Sequence, residues 1–345
     1  MIQSIRIKNF RNFPEKEISF SWEKNIIIWK NGHGKTNILE ALSLPTSPLV
    51  ESHPDYLLER GKDVFFVSYT LKNGMCSFSY SKDGKKRKYF IGDKSTTKQK
   101  LSIFYPHIIS FHPMVMNMMY LGPSERRNFL DEILTQSFQE YKSLLLSYKK
   151  ILTSRNKVLK NIFEEKSNIS ELDFWNSKFI DTAEHVYIYR KKISDFFMEH
   201  VDELKWYFFW KIEKIEFVYE TKIDISQPRE SLRKYIKENT KKEIMLRKTL
   251  RWPHLDDFHI LLDTVPLIRF ASRGEVKSVI LGLKFLETSF IEQHSQKQEI
   301  LFLIDDLLSE LDTEHRKLLL DHIQWYQSII SSIEDFWVDG NKIFI

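Results

Sequence analysis

The segment Asn31-Gly32-His33-Gly34-Lys35-Thr36 lies between the apolar run Ile26-Ile27-Ile28 and a helix-forming stretch that begins near Asn37. Glycines followed by a lysine and a hydroxyl at a helix start suit phosphate chemistry. Backbone amides crowd the anion, the helix N-terminus adds a positive dipole end, Lys35 reaches β- and γ-phosphates, and the Thr36 hydroxyl holds Mg²⁺. The full spacing G-x-x-x-x-G-K-[ST] asks for one more glycine, where this chain has Trp29. A bulky residue there either accepts glycine-like backbone angles or displaces the turn, at about 1–3 kcal/mol if strained. An ordinary strand-turn-helix connection is the plainer alternative.

Far along the chain, the apolar run Ile300 to Ile304 ends in Asp305-Asp306. Two adjacent carboxylates at a strand tip complement a phosphate loop: Asp305 would ligate Mg²⁺ through water, and Asp306 would orient or deprotonate an attacking water. Taken alone, such a pair is more often a loop start or a helix cap; joined with the phosphate loop, the balance reverses. Ser272 and Gly274, just ahead of another helical stretch, offer a hydroxyl and backbone amides to an anion or simply cap that helix. From Tyr141 to Asn161 the chain carries Lys142, Lys149, Lys150, Arg155, Lys157 and Lys160 with no acidic residue, and a second basic knot runs from Lys85 to Lys88. Each can follow a phosphate backbone or be a solvated face.

Certain elements must position these groups. Ile2, Ile5 and Ile7, then residues 25–30, read as strands. Asp63 to Gly92 reads as a meander with two-residue turns at Asn73-Gly74 and Asp83-Gly84. Between Ser124 and roughly Tyr219 the apolar period becomes helical, and no glycine or proline falls between Pro123 and Pro228, which predicts long packed helices. The aromatic residues there, including Trp175, Trp206, Phe208, Phe209 and Trp210, are expected in its core. Strand character returns at Phe258 to Phe270, then a helix over Glu275 to Phe290 and the buried strand Ile300 to Ile304. About 270 residues divide Lys35 from Asp305, more than one ordinary domain holds, so a large helical insertion must leave the first domain and return.

The chain of 345 residues, 42% hydrophobic, supports a substantial core. A net charge of +5 is too small to identify a nucleic-acid partner by itself. With one cysteine, Cys76, an intramolecular disulfide and a thiolate metal cluster are excluded, and a buried strand thiol is expected. The absence of a long apolar run or a signal-peptide core predicts a soluble, cytoplasmic protein with no membrane partner.

In their order along the chain these segments resemble the RecF family, relatives of the structural-maintenance-of-chromosomes heads. Ile7-Lys8-Asn9-Phe10-Arg11-Asn12 is similar to the family's start, and Asn31 to Asn37 with Leu39, Glu40 and Ala41 to its phosphate loop and first helix. Gly122-Pro123-Ser124-Glu125-Arg126-Arg127 with Phe129-Leu130-Asp131 resembles the entrance to its arm. Tyr148, Leu152, Arg155, Asn156 and Leu159 resemble the first arm helix, and Trp252-Pro253-His254-Leu255-Asp256-Asp257 a Gly-Pro-His-Arg-Asp-Asp motif. Ala271-Ser272-Arg273-Gly274-Glu275 is similar to the signature, Asp305 through Asp312 to the magnesium strand and D-loop, and Gln327 to Ser332 to the last strand, where Ser331 or Ser332 would sense a γ-phosphate. Departures are Trp29 and Trp252 for glycines, Leu255 for arginine, Glu275 for glutamine and Met114-Val115 for Glu-Asp; an arginine segment expected around 44–59 is not recognisable.

The resemblance implies an α/β, ABC-type P-loop ATPase head, a β-rich lobe plus an α/β core, formed by residues 1–122 with 252–345, and an inserted helical arm over 123–251. It implies ATP and Mg²⁺ as cofactors. Arg11, Asn12, Asn31, Gly32, His33, Gly34, Lys35, Thr36, Asn37, Gly274 and Asp312 would bind nucleotide, and Thr36 with Asp305 the metal. Asp306, Ser272 and Arg273 would serve hydrolysis, the latter two from a second copy. Lys149, Lys150, Arg155 and Lys157 would hold duplex or gapped DNA. The implied behaviour is an ATP-dependent homodimer clamp in recombinational repair, with slow, DNA-stimulated hydrolysis and RecO and RecR partners. A nucleotide-binding scaffold without turnover, and more remotely an ABC-related defence component, are the alternatives.

Overall fold

The computed structural model describes residues 1–28, 34–46, 53–207, 212–297, 299–332 and 339–344. Trp29, Asn31, Gly32 and His33 lie outside them, as do Phe208, Phe209, Trp210 and the Trp206 side chain. Two compact units divide the chain, Met1–Met116 with Ser295–Ile345 and Asn117–His294.

In the first unit, β1 (Ile2–Phe10), β2 (Phe13–Ser19) and β3 (Lys24–Ile28) precede α1 (Lys35–Ser43). The meander follows as β4 (Val64–Leu71), β5 (Gly74–Ser81), β6 (Lys86–Ile91) and β7 (Lys94–Thr96), then α2 (Lys98–Phe104) and β8 (His107–Phe111). An antiparallel sheet takes the order β2-β1-β4-β5-β6-β7. Its turns fall slightly away from the sequence expectation. Leu71 pairs with Gly74, so Lys72 and Asn73 make the first turn, and Ser81 pairs with Lys86, leaving Lys82 to Lys85 as a longer loop. Cys76 is buried on β5.

The second unit holds α3 (Pro123–Ser137), α4 (Tyr141–Phe163), α5 (Ile169–His200), β9 (Ile215–Glu220), α6 (Pro228–Leu246), β10 (Asp257–Leu262), β11 (Val265–Pro266), α7 (Leu267–Phe270) and α8 (Arg273–His294). Helical periodicity was expected to run to Tyr219, yet Ile215-Glu216-Phe217-Val218-Tyr219 alternates and pairs antiparallel with β10. Residues 252–294, assigned to the head by sequence, cluster with the arm because β10 joins β9 and α8 packs on α3.

The chain completes the first unit with β12 (Ile300–Asp305), α9 (Thr313–His322), β13 (Gln327–Ser332) and β14 (Asn341–Phe344). Strands β14, β3, β13, β12 and β8 form a sheet whose neighbours are all parallel. Parallel strands covered on both faces need continuous apolar runs, which Ile26-Ile27 and Ile300 to Ile304 supply, each buried branched chain contributing roughly 1.5–3 kcal/mol.

Helix α1 is buried around most of its circumference. Ile38, Leu39, Ala41 and Leu42 join a core with Ile5, Ile7, Phe65, Val67 and Tyr69 of the antiparallel sheet and with Ile27, Leu301, Leu303 and Ile329 of the parallel one. Its last carbonyls, which have no partner within a helix, are satisfied by tyrosines: Tyr69 Oη donates to the Ala41 carbonyl at 2.7 Å and Tyr105 Oη to that of Leu42 at 2.9 Å. No described helix is long and apolar enough to cross a membrane.

Candidate functional site

The register of the parallel sheet brings the phosphate-loop helix and the paired carboxylates together. Asp305 closes β12 opposite Ser331 of β13, while Ser332 pairs with Ile28 at the tip of β3. Strand C-termini beside a helix N-terminus are where α/β sheets place ligands. Gly34 caps α1 with φ 105°, in the left-handed region that glycine tolerates. A Cβ on it would lie 2.6 Å from Asn12 Oδ1 and 2.9 Å from Phe13 Cζ, so the backbone there approaches Asn12 as only glycine permits. Asn37 Nδ2 donates to the same Asn12 Oδ1 at 2.8 Å, tying the first strand pair to the first turn of α1.

Asp305 is 8% exposed and Lys35 4%. Thr36 Oγ1 donates to Asp305 Oδ2 at 2.9 Å. Ser331 Oγ donates to Asp305 Oδ1 at 2.7 Å and accepts the Asp306 amide at 3.0 Å. Burial raises the Asp305 carboxyl above its ordinary range; the Ser331 and Thr36 hydroxyls oppose this, Asp306 adds to it and Lys35 counters. Asp306 sits at φ 48°, ψ 16°, an uncommon left-handed conformation for a residue other than glycine. Its Oδ1 is buried without a hydrogen bond and meets the Lys35 ammonium at 3.5 Å, a coulombic contact.

This donor set fits a phosphate and its divalent ion. A buried carboxylate raised by desolvation gains from a nearby cation, a hydroxyl completes a hard oxygen ligand pair, and an orphaned carboxylate oxygen beside a lysine awaits a further partner. Sequence reasoning identified Lys35, Thr36, Asp305 and Asp306. It left Ser331 or Ser332 to sense a γ-phosphate; in the structure the Ser331 hydroxyl is engaged by the Asp305 carboxylate and the Asp306 amide. Only the strand register, absent from any local motif, reveals that role.

Other expected residues have different surroundings. The Arg11 guanidinium makes a two-pronged contact with buried Glu40, both bonds 2.9 Å, and donates to the Tyr56 carbonyl. Asp312 is the N-cap of α9, accepting the His315 amide at 2.9 Å and facing the His315 ring. In the second unit, Ser272 and Glu275 form a reciprocal capping box. The Ser272 amide donates to Glu275 Oε2 at 2.6 Å, and the Glu275 amide to Ser272 Oγ at a long 3.4 Å. Glutamate serves this box as well as glutamine. Ser272, Arg273 and Gly274 are all exposed.

The basic helix requires a correction. Lys149, Lys150 and Lys157 are exposed on α4, but Arg155 is fully buried and cannot reach a phosphate backbone. Its guanidinium binds Glu243, Asn176 and Thr249, with Asn176 Oδ1 at 2.9 Å, and stands over the rings of Phe179 and Trp252. Trp252, 1% exposed, is therefore an arm-core residue next to this cation. Around it, His254 Nδ1 meets Tyr148 Oη, Asp257 pairs with Arg126 through two bonds, and Asp256 accepts from Tyr219 Oη. Burial lifts the Asp256 carboxyl to about 6 and, with repulsion from Arg127, lowers His254 to about 4.

No family model matches the chain. Among curated proteins, the DNA replication and repair protein RecF of Agathobacter rectalis is 30% identical over 336 residues, 96% of this chain and 91% of that one. RecF of Clostridium perfringens is 30% identical over 359 residues, 99% of this chain and 97% of its own. Among solved structures, the recombination mediator protein RecF with ATPrS superposes with a TM-score of 0.86 at 23% identity, covering 100% of this chain and 96% of that one. RecF with ATP gives 0.84 at 24% identity, covering 99% and 95%. At these identities the likeness shows the fold alone.

Proposed function

Because this chain belongs to the RecF family, we propose that it is an ATP-binding recombination-repair protein that closes as a dimer on duplex or gapped DNA. The observation that carries the reading is the convergence of Lys35, Thr36, Asp305, Asp306 and Ser331 at the tips of three parallel strands and one helix start. The solved RecF structures with ATP and ATPrS, described as belonging to the RecFOR pathway, support nucleotide binding and mediator partners of RecO and RecR type.

Thr36 and Asp305 would hold Mg²⁺, which supplies positive charge to phosphate oxygens. Lys35, whose ammonium lies 3.5 Å from Asp306, would turn toward a phosphate. Asp306, released and held by its backbone on Ser331, then becomes available to accept a proton from water. Exposed Ser272, Arg273 and Gly274 are free to reach a nucleotide held by a second copy. A ligand touching both copies stabilises only the closed state. Lys149, Lys150 and Lys157 would contact DNA phosphates.

Sedimentation with ATP, Mg²⁺ and gapped duplex tests this. Wild type should dimerise with nucleotide; Lys35→Ala should lose nucleotide binding, and Ser272→Arg should bind nucleotide yet stay monomeric. Identical sedimentation of all three proteins refutes the clamp. ATP turnover no greater than that of Asp306→Asn would leave a binding scaffold.

A further inference from the structure

On the arm, α5 and α6 enclose a groove of about 420 Å³ whose lining includes Asp173, Asn176, Ile180, Arg233, Ile236 and Lys237. Asn176 is 7% exposed, and its Oδ1 accepts from Arg155 Nε at 2.9 Å. A guanidinium can only donate, so this bond fixes which way the amide faces: the carbonyl points at Arg155 and the NH₂ points away from it. That NH₂ has no acceptor among the described residues, although Asn176 lines the groove.

The opposite wall supplies cations. Arg229, Arg233 and Lys237 recur every fourth residue on α6 and so share one face. Arg229 is neutralised by Asp181 and Glu184. Arg233 and Lys237 are exposed and have no acidic partner among the described residues. Asp173 has no cation partner among the described residues; the lining holds three cations, Arg229, Arg233 and Lys237, against the carboxylates of Asp173 and Asp181, with Glu184 also on Arg229. Ile180 and Ile236 supply apolar floor.

We propose that this groove is a phosphate-binding site, taking the phosphoryl group of a free nucleotide or of a nucleic-acid strand laid on the arm. Arg233 and Lys237 supply charge, and the Asn176 amide supplies a directed bond from the wall.

The test uses the full chain carrying Lys35→Ala, so that the head pocket does not contribute, titrated with pyrophosphate and with a single-stranded oligonucleotide. Asn176→Asp keeps an acceptor for Arg155 while replacing the groove-facing N–H donor with a carboxylate oxygen. It should retain the thermal midpoint and weaken binding about tenfold or more. Arg233→Gln with Lys237→Gln, both exposed, should weaken it comparably and guards against misfolding of the first variant. Binding of pyrophosphate alone identifies a free nucleotide as the source, and binding of the oligonucleotide identifies a strand. Unchanged affinity in these variants, binding of neither probe, or equal competition by polyglutamate overturns the proposal. A monomer in the ATP sedimentation assay bears only on the head.

Discussion

Replacing Ser331 with alanine tests how the paired carboxylates are held. The hydroxyl makes two bonds, donating to Asp305 and accepting from the Asp306 amide. A hydrogen bond to a carboxylate is worth about 1.5–3 kcal/mol and one between neutral groups about 0.5–1.5, so their loss should cost about 2–4 kcal/mol at neutral pH. The pH dependence separates this from simple loss of packing. Asp305 has a carboxyl raised in the folded state, chiefly by burial, and Ser331 opposes the rise. A raised carboxyl contributes stability that is complete below its unfolded value and is lost as pH climbs through its folded value. Removing Ser331 raises it further, so the variant should lose most at neutral pH and approach wild type on acidification. Urea unfolding at about pH 3 and about pH 8 reads both limits. An equal deficit at both would mean that the hydroxyl does not support a charged Asp305.

Other changes probe separate parts of the molecule. Arg155→Met should destabilise by about 3–5 kcal/mol, because Glu243 is left charged and buried without its partner; Lys149, Lys150 and Lys157 reversed to glutamate should leave stability within about 0.5 kcal/mol, weaken duplex binding and flatten its salt dependence. Thermal melts and filter binding distinguish them. Asp256→Asn should abolish the loss of stability that wild type shows as pH rises through the elevated carboxyl near 6; the acid limb set by His254, lost as pH falls through about 4, should survive. Gly34→Ala should cost about 1–3 kcal/mol from its backbone angle alone and abolish nucleotide binding, and adding Asn12→Ala should relieve the contact without restoring binding, as calorimetry would show.

The elements around Lys35 and Asp305 were legible because fully buried parallel strands must be written as apolar runs, and a glycine-lysine-threonine turn has few other uses. Positions set by distant partners were harder to read. Arg155 looks like its lysine neighbours in a basic stretch, and only the packing of α5 and α6 turns it inward. Ile215 to Glu220 was assigned to helix because it follows a long helical period without glycine or proline, although its own alternation and its partner strand decide otherwise. Trp252 looked like a defect in a glycine-bearing motif. In the structure it is core beside Arg155, and its cost there falls on the indole nitrogen, which is buried without an acceptor. Ser331 gave no local clue, since a hydroxyl in an Ile-Ile-Ser-Ser strand says nothing about which carboxylates it will face.

The two tyrosines on the last turn of α1 bear on how the first unit can respond to a ligand. One comes from the antiparallel sheet and the other from the approach to β8, so sliding the helix along either sheet would break a buried bond with no water to replace it. The helix is moored at its far end to both layers. Its first turn is held as well, by Thr36 on Asp305 and by Asn37 on Asn12, so both ends of the helix are fixed to their surroundings.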